Sequence, residues 1–349
     1  MAFSNSRFNK NDDDDDDDDD SGLSQNEECE IGLIVDSVLA RYKTNNIDWE
    51  AKEIAITNEA QLREFSLLVN NGKDFAGQTL MLDNDLDLED EEWIPIGIHS
   101  GHIREEDEEV YLPFSGTFDG NLNTINGVYV GDERDKQALF GCVGKYGIIK
   151  NLIVSVDIKG ETSEKMEYGN YSGSIAGDSY GLIQNCTVIG MVEGVIAGGL
   201  IGCNYGIINF CISYVEVKHK SKSSNNDAAG GLVGKNFGNV YDSFALGSTK
   251  GKYNVGGLVG ANLTGATIKN SSAKGDVNGE NDIGGLTGVN YGKIKNCSAK
   301  GNVYGAPTSS FRGTGGLVGT NYGKITQCCL KGDAAELDLV GKNEGEIVD

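Results

Sequence analysis

Asparagines recur along the 349-residue sequence, each two residues after a glycine. Primary amides stacked at one position can hydrogen-bond up the stack, and asparagine also tolerates the left-handed geometry of tight turns. The sequence therefore predicts a ladder of amides at one corner of a repeating structure. The members of this ladder are Asn204, Asn236, Asn262, Asn290, Asn321 and Asn343.

Cysteine and serine interchange at a second recurring position, just before a short x-Ala-x-Gly segment. Such an interchange indicates a small side chain that points inward, and adjacent parallel strands aim neighbouring thiols poorly for a disulfide. We therefore expect free thiols that pack without chemistry. The set is Cys186, Cys211, Ser243, Ser271, Cys297 and Cys328. Cys142 and Cys203 follow a glycine instead, at a position that we expect to be more exposed.

Acidic residues cluster in two segments that could bind cations. Residues 12–20 are nine consecutive aspartates, and residues 83–109 carry twelve acids beside His99 and His102. The first segment is predicted to be a solvated, disordered tail. The second lacks the glycine and glutamate spacing of a calcium loop, so we expect an exposed acidic loop at 99–109 with no metal or other cofactor.

Aromatic residues follow the asparagines in four copies, at Tyr205, Phe237, Tyr291 and Tyr322. Two interpretations are open. The rings either pack into a corner of the fold, or form an exposed stripe suited to sugars or to a protein groove. We favour the packed corner.

A glycine-rich repeat must position all of these side chains. The segment "GGLVGKNFGNVYDS" from Gly230 recurs as "GGLTGVNYGKIKNC" from Gly284 and "GGLVGTNYGKITQC" from Gly315. We interpret each unit as three short strands without a helix, which buries its apolar face only by stacking on the next unit. Glycine permits the corners and the close approach of backbones. The sequence predicts an all-β, right-handed parallel β-solenoid of about eight or nine rungs with a short helical N-terminal cap.

Segments outside the repeat suggest further organisation. Asn58 is predicted to cap a helix that ends before Gly72 and covers the first rung. Residues 29–42 predict either a helix folded onto the solenoid or a docking helix for a partner. The apolar side of that segment is Ile31, Ile34, Val35, Val38, Leu39 and Tyr42.

These segments divide the chain into a disordered poly-Asp tail at 1–26, a helical cap and docking segment at 27–75, and the solenoid at 76–349. The last copy of the repeat, "GKNEGEIVD", predicts an open C-terminal rung. Either its charges protect the open edge, or another protein or subunit assembles on it.

Charge and composition limit the classes of partner. The formal net charge is −24, of which residues 1–30 contribute −10 and residues 83–109 contribute −11. The repeats are nearly neutral, which opposes nucleic-acid binding. No apolar run reaches the roughly 18 residues of a membrane span, and the N-terminus lacks the apolar region of a signal peptide. From the residues alone we expect a cytoplasmic protein whose eight cysteines are thiols.

The glycine pentad with its following Asn-x-Gly resembles the GLUG-motif repeat, and residues 54–349 are similar to bacterial surface β-helix proteins that carry it. The stretches "EEWIPIG" from Glu92 and "FSGTFDGNLNTINGVYV" from Phe114 are similar to the opening of those proteins. The resemblance implies a secreted, surface or adhesin-like module, and some relatives carry the repeat beside an immunoglobulin-cleaving metallopeptidase. The His-Glu-x-x-His motif of that peptidase is absent here, since the histidines are His99, His102 and His219.

We therefore expect a non-catalytic β-solenoid scaffold, adhesin-like or part of a larger assembly, that binds a protein or a glycan. The alternative is a carbohydrate-active β-helix enzyme, such as a polysaccharide lyase or hydrolase. It is disfavoured because no aspartate cluster with a basic neighbour recurs on one face of the repeat. A third hypothesis is a cytosolic interaction protein that docks through the 29–42 helix.

Overall fold

Stacked parallel strands make up most of the described chain. The computed structural model describes residues 47–100, 110–131, 136–159, 171–220, 227–305 and 313–348, all within one compact unit, Tyr42–Asp349. Strands of successive coils pair in register into four parallel sheets, here numbered I to IV. The all-β solenoid predicted from the repeat is confirmed, and sheet IV counts eight strands among the described residues.

Sheets I and II contain eleven and twelve strands. The strands of sheet I are Glu53–Ile56, Thr79–Leu82, Thr117–Asp119, Ile148–Lys150, Leu182–Gln184, Ile207–Asn209, Asn239–Tyr241, Thr267–Lys269, Lys293–Lys295, Lys324–Thr326 and Glu346–Val348. The strands of sheet II are Leu86–Asp87, Thr124–Val130, Ile153–Lys159, Thr187–Gly194, Ile212–His219, Phe244–Ala245, Thr249–Lys250, Ser272–Ala273, Val277–Gly279, Ser298–Ala299, Val303–Gly305 and Cys329–Leu330.

Sheets III and IV contain seven and eight strands. The strands of sheet III are Lys136–Gln137, Tyr171–Ser172, Ile196–Gly198, Ala228–Gly230, Tyr253–Gly256, Asn281–Gly284 and Thr314–Gly315. The strands of sheet IV are Phe140–Val143, Ala176–Ser179, Ile201–Asn204, Val233–Asn236, Val259–Asn262, Thr287–Asn290, Val318–Asn321 and Val340–Asn343. A short antiparallel pair, Ile98–Ser100 with Val110–Leu112, lies outside the four sheets.

The glycine pentad forms a corner, whereas the sequence predicted that it forms a strand. In the copy from Gly284, a strand of sheet III ends at that glycine, the chain bends at Gly285 and Leu286, and a strand of sheet IV begins. A coil that carries the pentad therefore contributes to four sheets rather than three. A Cβ on Gly285 would lie 2.2 Å from the carbonyl oxygen of Gly316, and a Cβ on Gly288 would lie 2.5 Å from a backbone carbon of the preceding coil. The backbones approach too closely here for any side chain.

Apolar side chains fill the interior in files that run from coil to coil. The middle residue of each sheet I strand points inward, as Ile208, Ile268 and Ile294 do, and these side chains are almost completely buried. The leucine of each pentad corner forms another buried file: Leu200, Leu232, Leu258, Leu286 and Leu317. Burying one such side chain stabilises the fold by about 1.5–3 kcal/mol. The interior therefore supplies the stability, and side chains on the outer faces are free to vary.

Helix α1, Glu59–Asn70, begins where the sequence predicted. The Oδ1 atom of Asn58 accepts a hydrogen bond from the backbone N–H of Gln61 at 3.1 Å. The Oε1 atom of Gln61 accepts from the backbone N–H of Thr57 at 2.7 Å, one residue before the cap. These two bonds satisfy N–H groups that a helix leaves without partners at its start.

The inner face of α1 packs on aromatic rings of the first coils. The ring of Phe65 meets Phe75 edge to face at 5.1 Å and Phe114 at 5.4 Å, and all three side chains are buried. The helix lies in the chain between the first two strands of sheet I, Glu53–Ile56 and Thr79–Leu82, which pair directly. Sheet I therefore begins inside the range 27–75 that the sequence assigned to the cap.

The last described coil has no strand beyond it in sheets I and IV. Ile347 occupies the inward position of sheet I, yet 39% of its surface is exposed, while its neighbour Ile325 is buried. The tail at 1–26, the segment 29–42 with its six apolar residues, and residues 101–109 of the acidic loop lie outside the described residues.

Candidate functional site

The six asparagines occupy one register position in sheet IV. The side-chain amide of each of the first five donates from Nδ2 to the Oδ1 of the asparagine in the next coil, at 2.7 to 2.9 Å. The first five side chains are completely buried, and Asn343 is exposed at the end of the file. Except at Asn262, the Nδ2 atoms also approach a glycine carbonyl two residues on, as Asn236 does to Gly238 at 3.1 Å. The donors and acceptors of this amide ladder are therefore used in hydrogen bonds that join the coils.

The Cys/Ser position forms a second internal file with a fixed pattern of hydrogen bonds. The hydroxyl of Ser243 donates to the carbonyl of Tyr241 at 2.6 Å, and its oxygen accepts the backbone N–H of Cys211 at 3.1 Å. The thiol of Cys297 donates to the carbonyl of Lys295 at 3.1 Å. Cysteine and serine interchange here because both groups donate to the carbonyl two residues earlier and accept from the adjacent coil. Cys186, Cys211, Ser271 and Cys328 donate in the same way.

Burial controls the reactivity of the thiols. The seven cysteines within the described ranges are all free. Burial raises the pKa of Cys203 to about 12 and the pKa of Cys186 well above its ordinary value. Cys328 is the exception, because hydrogen bonding with the side chain and the backbone N–H of Cys297 favours its thiolate and lowers its pKa to about 7. Most of these thiols are therefore poor nucleophiles at neutral pH.

Cys142 and Cys203 are fully buried, so the expectation that they occupy an exposed position was wrong. They flank Asp178 on neighbouring strands of sheet IV. Asp178 forms an ion pair with Lys136 at 3.0 Å, and both side chains are buried. The closing glycines cause this burial, because a residue without a side chain lets sheet III approach the outer surface of sheet IV. The cluster is closed to solvent and its two charges are paired, so removing either partner would leave an uncompensated buried charge.

A second file of polar residues, which the sequence interpretation missed, precedes the Cys/Ser position. Its members have left-handed backbone conformations, and four of them are asparagines: Asn151, Asn185, Asn270 and Asn296. Their amides also bond between coils, as Asn185 does to Asn151 at 2.8 Å. Phe210 interrupts this file with a φ of 53° and 54% exposure. The signal was present in the sequence as an asparagine directly before cysteine or serine.

The predicted aromatic residues stack along the corner between sheets IV and I. The rings of Tyr205 and Phe237 lie 4.8 Å apart and 9° from parallel, and those of Tyr291 and Tyr322 lie 4.9 Å apart and 5° from parallel. Leu263 occupies the position between the two pairs. The four aromatic side chains are 38 to 44% exposed. Stacking covers the ring faces that meet within each pair, and the side chains remain partly exposed.

An open groove of about 490 Å³ lies beside the second aromatic pair. Two copies of the sequence Tyr-Gly-Lys supply six of its nine lining residues. The lining residues are Gly265, Tyr291, Gly292, Lys293, Tyr322, Gly323, Lys324, Gly345 and Glu346. The groove therefore combines aromatic edges with positive charge.

Four exposed lysines continue this positive charge over the outer face of sheet I. The register places Lys269 opposite Lys295, and Lys293 opposite Lys324. The residue between the two lysines of strand Lys293–Lys295 is Ile294, which points inward, so both lysines point outward. Lys324 forms an ion pair with Glu346 at 2.9 Å. The sequence analysis did not single out these residues, although their spacing in "GKIKN" gives the alternation of an outward face.

Across the described ranges, no group of three or more His, Cys, Asp or Glu side chains is arranged to hold a metal ion. None of the helices in the same ranges is long and apolar enough to cross a membrane.

Stacked coils with internal polar files define a repeat protein of the parallel β-solenoid class. Residues 251–278 and 279–304 match the family model of the GLUG motif, so the chain carries two consecutive GLUG repeats there. No curated protein matches the sequence. Among solved structures, the chain is similar to a "putative immunoglobulin A1 protease from Bacteroides ovatus", with 19% identity and a TM-score of 0.53 over 86% of this chain and 85% of that one. At this identity the likeness shows the fold alone.

Proposed function

We propose that this GLUG-repeat solenoid is a non-catalytic scaffold whose outer faces recognise a protein or glycan partner in an adhesin-like role. One observation carries the proposal. The recurring side chains that could do chemistry bond to one another between coils, as the ladder amides of Asn236 and Asn262 do at 2.9 Å. Groups satisfied inside the fold stabilise it and are not available to a substrate.

The outer positions behave differently, since they vary from coil to coil while the inner files stay constant. In one outward column of sheet I, isoleucine at 207 is followed by asparagine at 239, threonine at 267 and lysine at 293. Variation of this kind on a regular framework suits recognition, because faces can change without disturbing the core. The structural neighbour is described as a protease, and the part shared with this chain is a solenoid. We infer that the shared solenoid presents surfaces rather than reacting groups.

The experiment is a binding and turnover assay with the full chain. A panel of neutral and acidic oligosaccharides, with and without calcium, is incubated with the protein, and both retention and new reducing ends are measured. Retention of a glycan or capture of a protein partner without new ends is the expected result. Cleavage of any polysaccharide at a rate proportional to enzyme concentration contradicts the non-catalytic proposal.

Deletion of residues 29–42 provides the matched control for the docking hypothesis. An unchanged set of partners assigns recognition to the solenoid. Loss of the partners, with the thermal unfolding of the solenoid unchanged, assigns recognition to the deleted segment instead.

We further propose a secreted or cell-surface location, as the resemblance to surface β-helix proteins implies. Protease treatment of intact cells tests this location. Digestion of the chain at the rate of a known surface protein supports it, and protection until the cells are lysed contradicts it.

A further inference from the structure

We propose that the outer face of sheet I around Lys269, Lys293, Lys295 and Lys324, termed the lysine face, binds a carboxylate-bearing oligosaccharide. This inference rests on the proposed recognition function and names the ligand class of one surface. It is argued from the charge pairing of the lysines, from the adjoining groove and from the way the aromatic rings are covered.

The charges on this face repel one another. Lys269 lies opposite Lys295, and Lys293 lies opposite Lys324, on neighbouring strands about 4.8 Å apart. Like charges placed directly opposite one another destabilise a sheet. Within the described chain, Lys324 has a carboxylate partner in Glu346, while Lys269, Lys293 and Lys295 form no ion pair. The face therefore keeps three ammonium groups available for an external anion.

Lysines elsewhere on sheet I differ in this respect. Lys150 lies in the same outward column as Lys269, and its ammonium group lies 3.1 Å from Asp119 in the preceding coil. A lysine in this column can therefore be paired, because a carboxylate in the adjacent coil neutralises the charge of Lys150. On the lysine face only Lys324 has such an acid, Glu346, within the described residues, and the other three lysines have none, in a protein whose formal net charge is −24.

The groove beside the lysine face indicates the size and the chemistry of the ligand. Its volume of about 490 Å³ lies within the range of small-ligand sites. Its lining includes two tyrosines, Tyr291 and Tyr322, and two lysines, Lys293 and Lys324, together with several glycines and Glu346, the carboxylate partner of Lys324. Tyrosine hydroxyl groups donate and accept hydrogen bonds, and ammonium groups donate three each. A sugar unit offers hydroxyl groups for the tyrosines, and a carboxylate on it pairs with the lysines.

The aromatic geometry favours a saccharide over a single-stranded nucleic acid. Proteins bind unpaired nucleotides by stacking each base on an exposed aromatic face. Here Tyr291 and Tyr322 stack on each other at 4.9 Å, so the faces that meet are covered and are not available to a base. A long polyanion would also meet the repulsion of the negative net charge, whereas a short oligosaccharide contacts only the local cluster.

The test is titration calorimetry of the full chain with a tetramer of galacturonic acid at 50 mM salt. The double variant Lys293→Gln/Lys295→Gln removes two ammonium groups from the lysine face. Lys250→Gln/Lys274→Gln removes the same charge from exposed positions on the sheet II side of the solenoid. We expect the first variant to bind at least about tenfold more weakly and the second to bind within twofold of the unmodified protein. Circular dichroism checks that both variants are folded.

Each outcome is decisive for the inference. Neutral galactose tetramer should bind at least tenfold more weakly than the acidic tetramer, and raising the salt to 500 mM should weaken the acidic one. Equal loss in both lysine variants, or no binding of the acidic tetramer, overturns the lysine face as a site while leaving recognition of a protein partner open. Tighter binding of a sulfated oligosaccharide or of an oligonucleotide overturns the carboxylate assignment. Cleavage of the tetramer contradicts the proposed function itself.

Discussion

Replacing Asn262 by alanine removes the middle of the amide ladder. Two buried hydrogen bonds disappear, the one accepted from Asn236 at 2.9 Å and the one donated to Asn290 at 2.8 Å. A typical intramolecular hydrogen bond contributes about 1 kcal/mol net, and a buried partner left unsatisfied costs about 1–3 kcal/mol. Asn236 and Asn290 each keep a weaker bond to a glycine, which limits the penalty. We expect Asn262→Ala to lower the free energy of unfolding by about 2–4 kcal/mol.

Asn343→Ala is the matched control at the end of the same file. This side chain is exposed and accepts one ladder bond, from Asn321 at 2.7 Å. Water replaces that bond when the side chain is removed, so the expected loss is below about 1 kcal/mol. Because the residue type and the substitution are the same at Asn262 and Asn343, the difference between the two losses of unfolding free energy measures the effect of burial.

Urea unfolding followed by circular dichroism measures both variants. Hydrogen exchange of the strand Val259–Asn262 then locates the loss, because a solenoid responds mainly within the altered coil and its neighbours. Exchange in that strand should accelerate in Asn262→Ala, while the strand Ile201–Asn204 stays protected. Equal destabilisation by the two substitutions would refute the idea that the buried amides hold the coils together.

Three further outcomes follow from the corners and files. Gly288→Ala should lower the free energy of unfolding by about 3 kcal/mol, because the added Cβ overlaps neighbouring backbone. Gly265 has open space around it but a φ of 87°, so Gly265→Ala should lower that free energy by only about 1 kcal/mol. Comparable thermal midpoints for the two variants would contradict this expectation. The rate of Cys328 alkylation should rise with pH, with a midpoint at pH about 7. Cys297→Ala should move that midpoint upward, because the side-chain hydrogen bonding that favours the Cys328 thiolate is lost. An unmoved midpoint would be inconsistent with that pairing. Phe210→Asn should raise the free energy of unfolding by about 1 kcal/mol by relieving the left-handed strain, and a lower value would show that the ring is stabilising.

The fold could be predicted from the sequence because each coil repeats the same few residue types at the same positions. Leucine and glycine in the pentad recur with asparagine two residues later, and each marks a position that only one coil geometry satisfies. Helix α1 was equally accessible, since Asn58 and Gln61 form a local capping pattern that needs no knowledge of the rest of the chain.

Features that depend on neighbouring coils were harder to predict. The pentad has the apolar content of a strand, and its role as a corner follows from contacts such as that of Gly285 with the next coil. Cys203 is buried because sheet III folds over sheet IV, which no local pattern records. The lysine face was overlooked because each lysine alone is an ordinary exposed residue. Only the register, which pairs Lys293 with Lys324, shows the charges to be adjacent.

The two matched repeats have a consequence for how this chain can change in length. Residues 251–278 and 279–304 place Asn262 and Asn290, and likewise Ser271 and Cys297, at equivalent positions, so either segment continues the amide ladder and the Cys/Ser file of the other. Gene duplication or deletion of one such segment would preserve every lateral bond and move the ends by about 4.8 Å. The number of repeats therefore sets the length of the solenoid in steps of one coil.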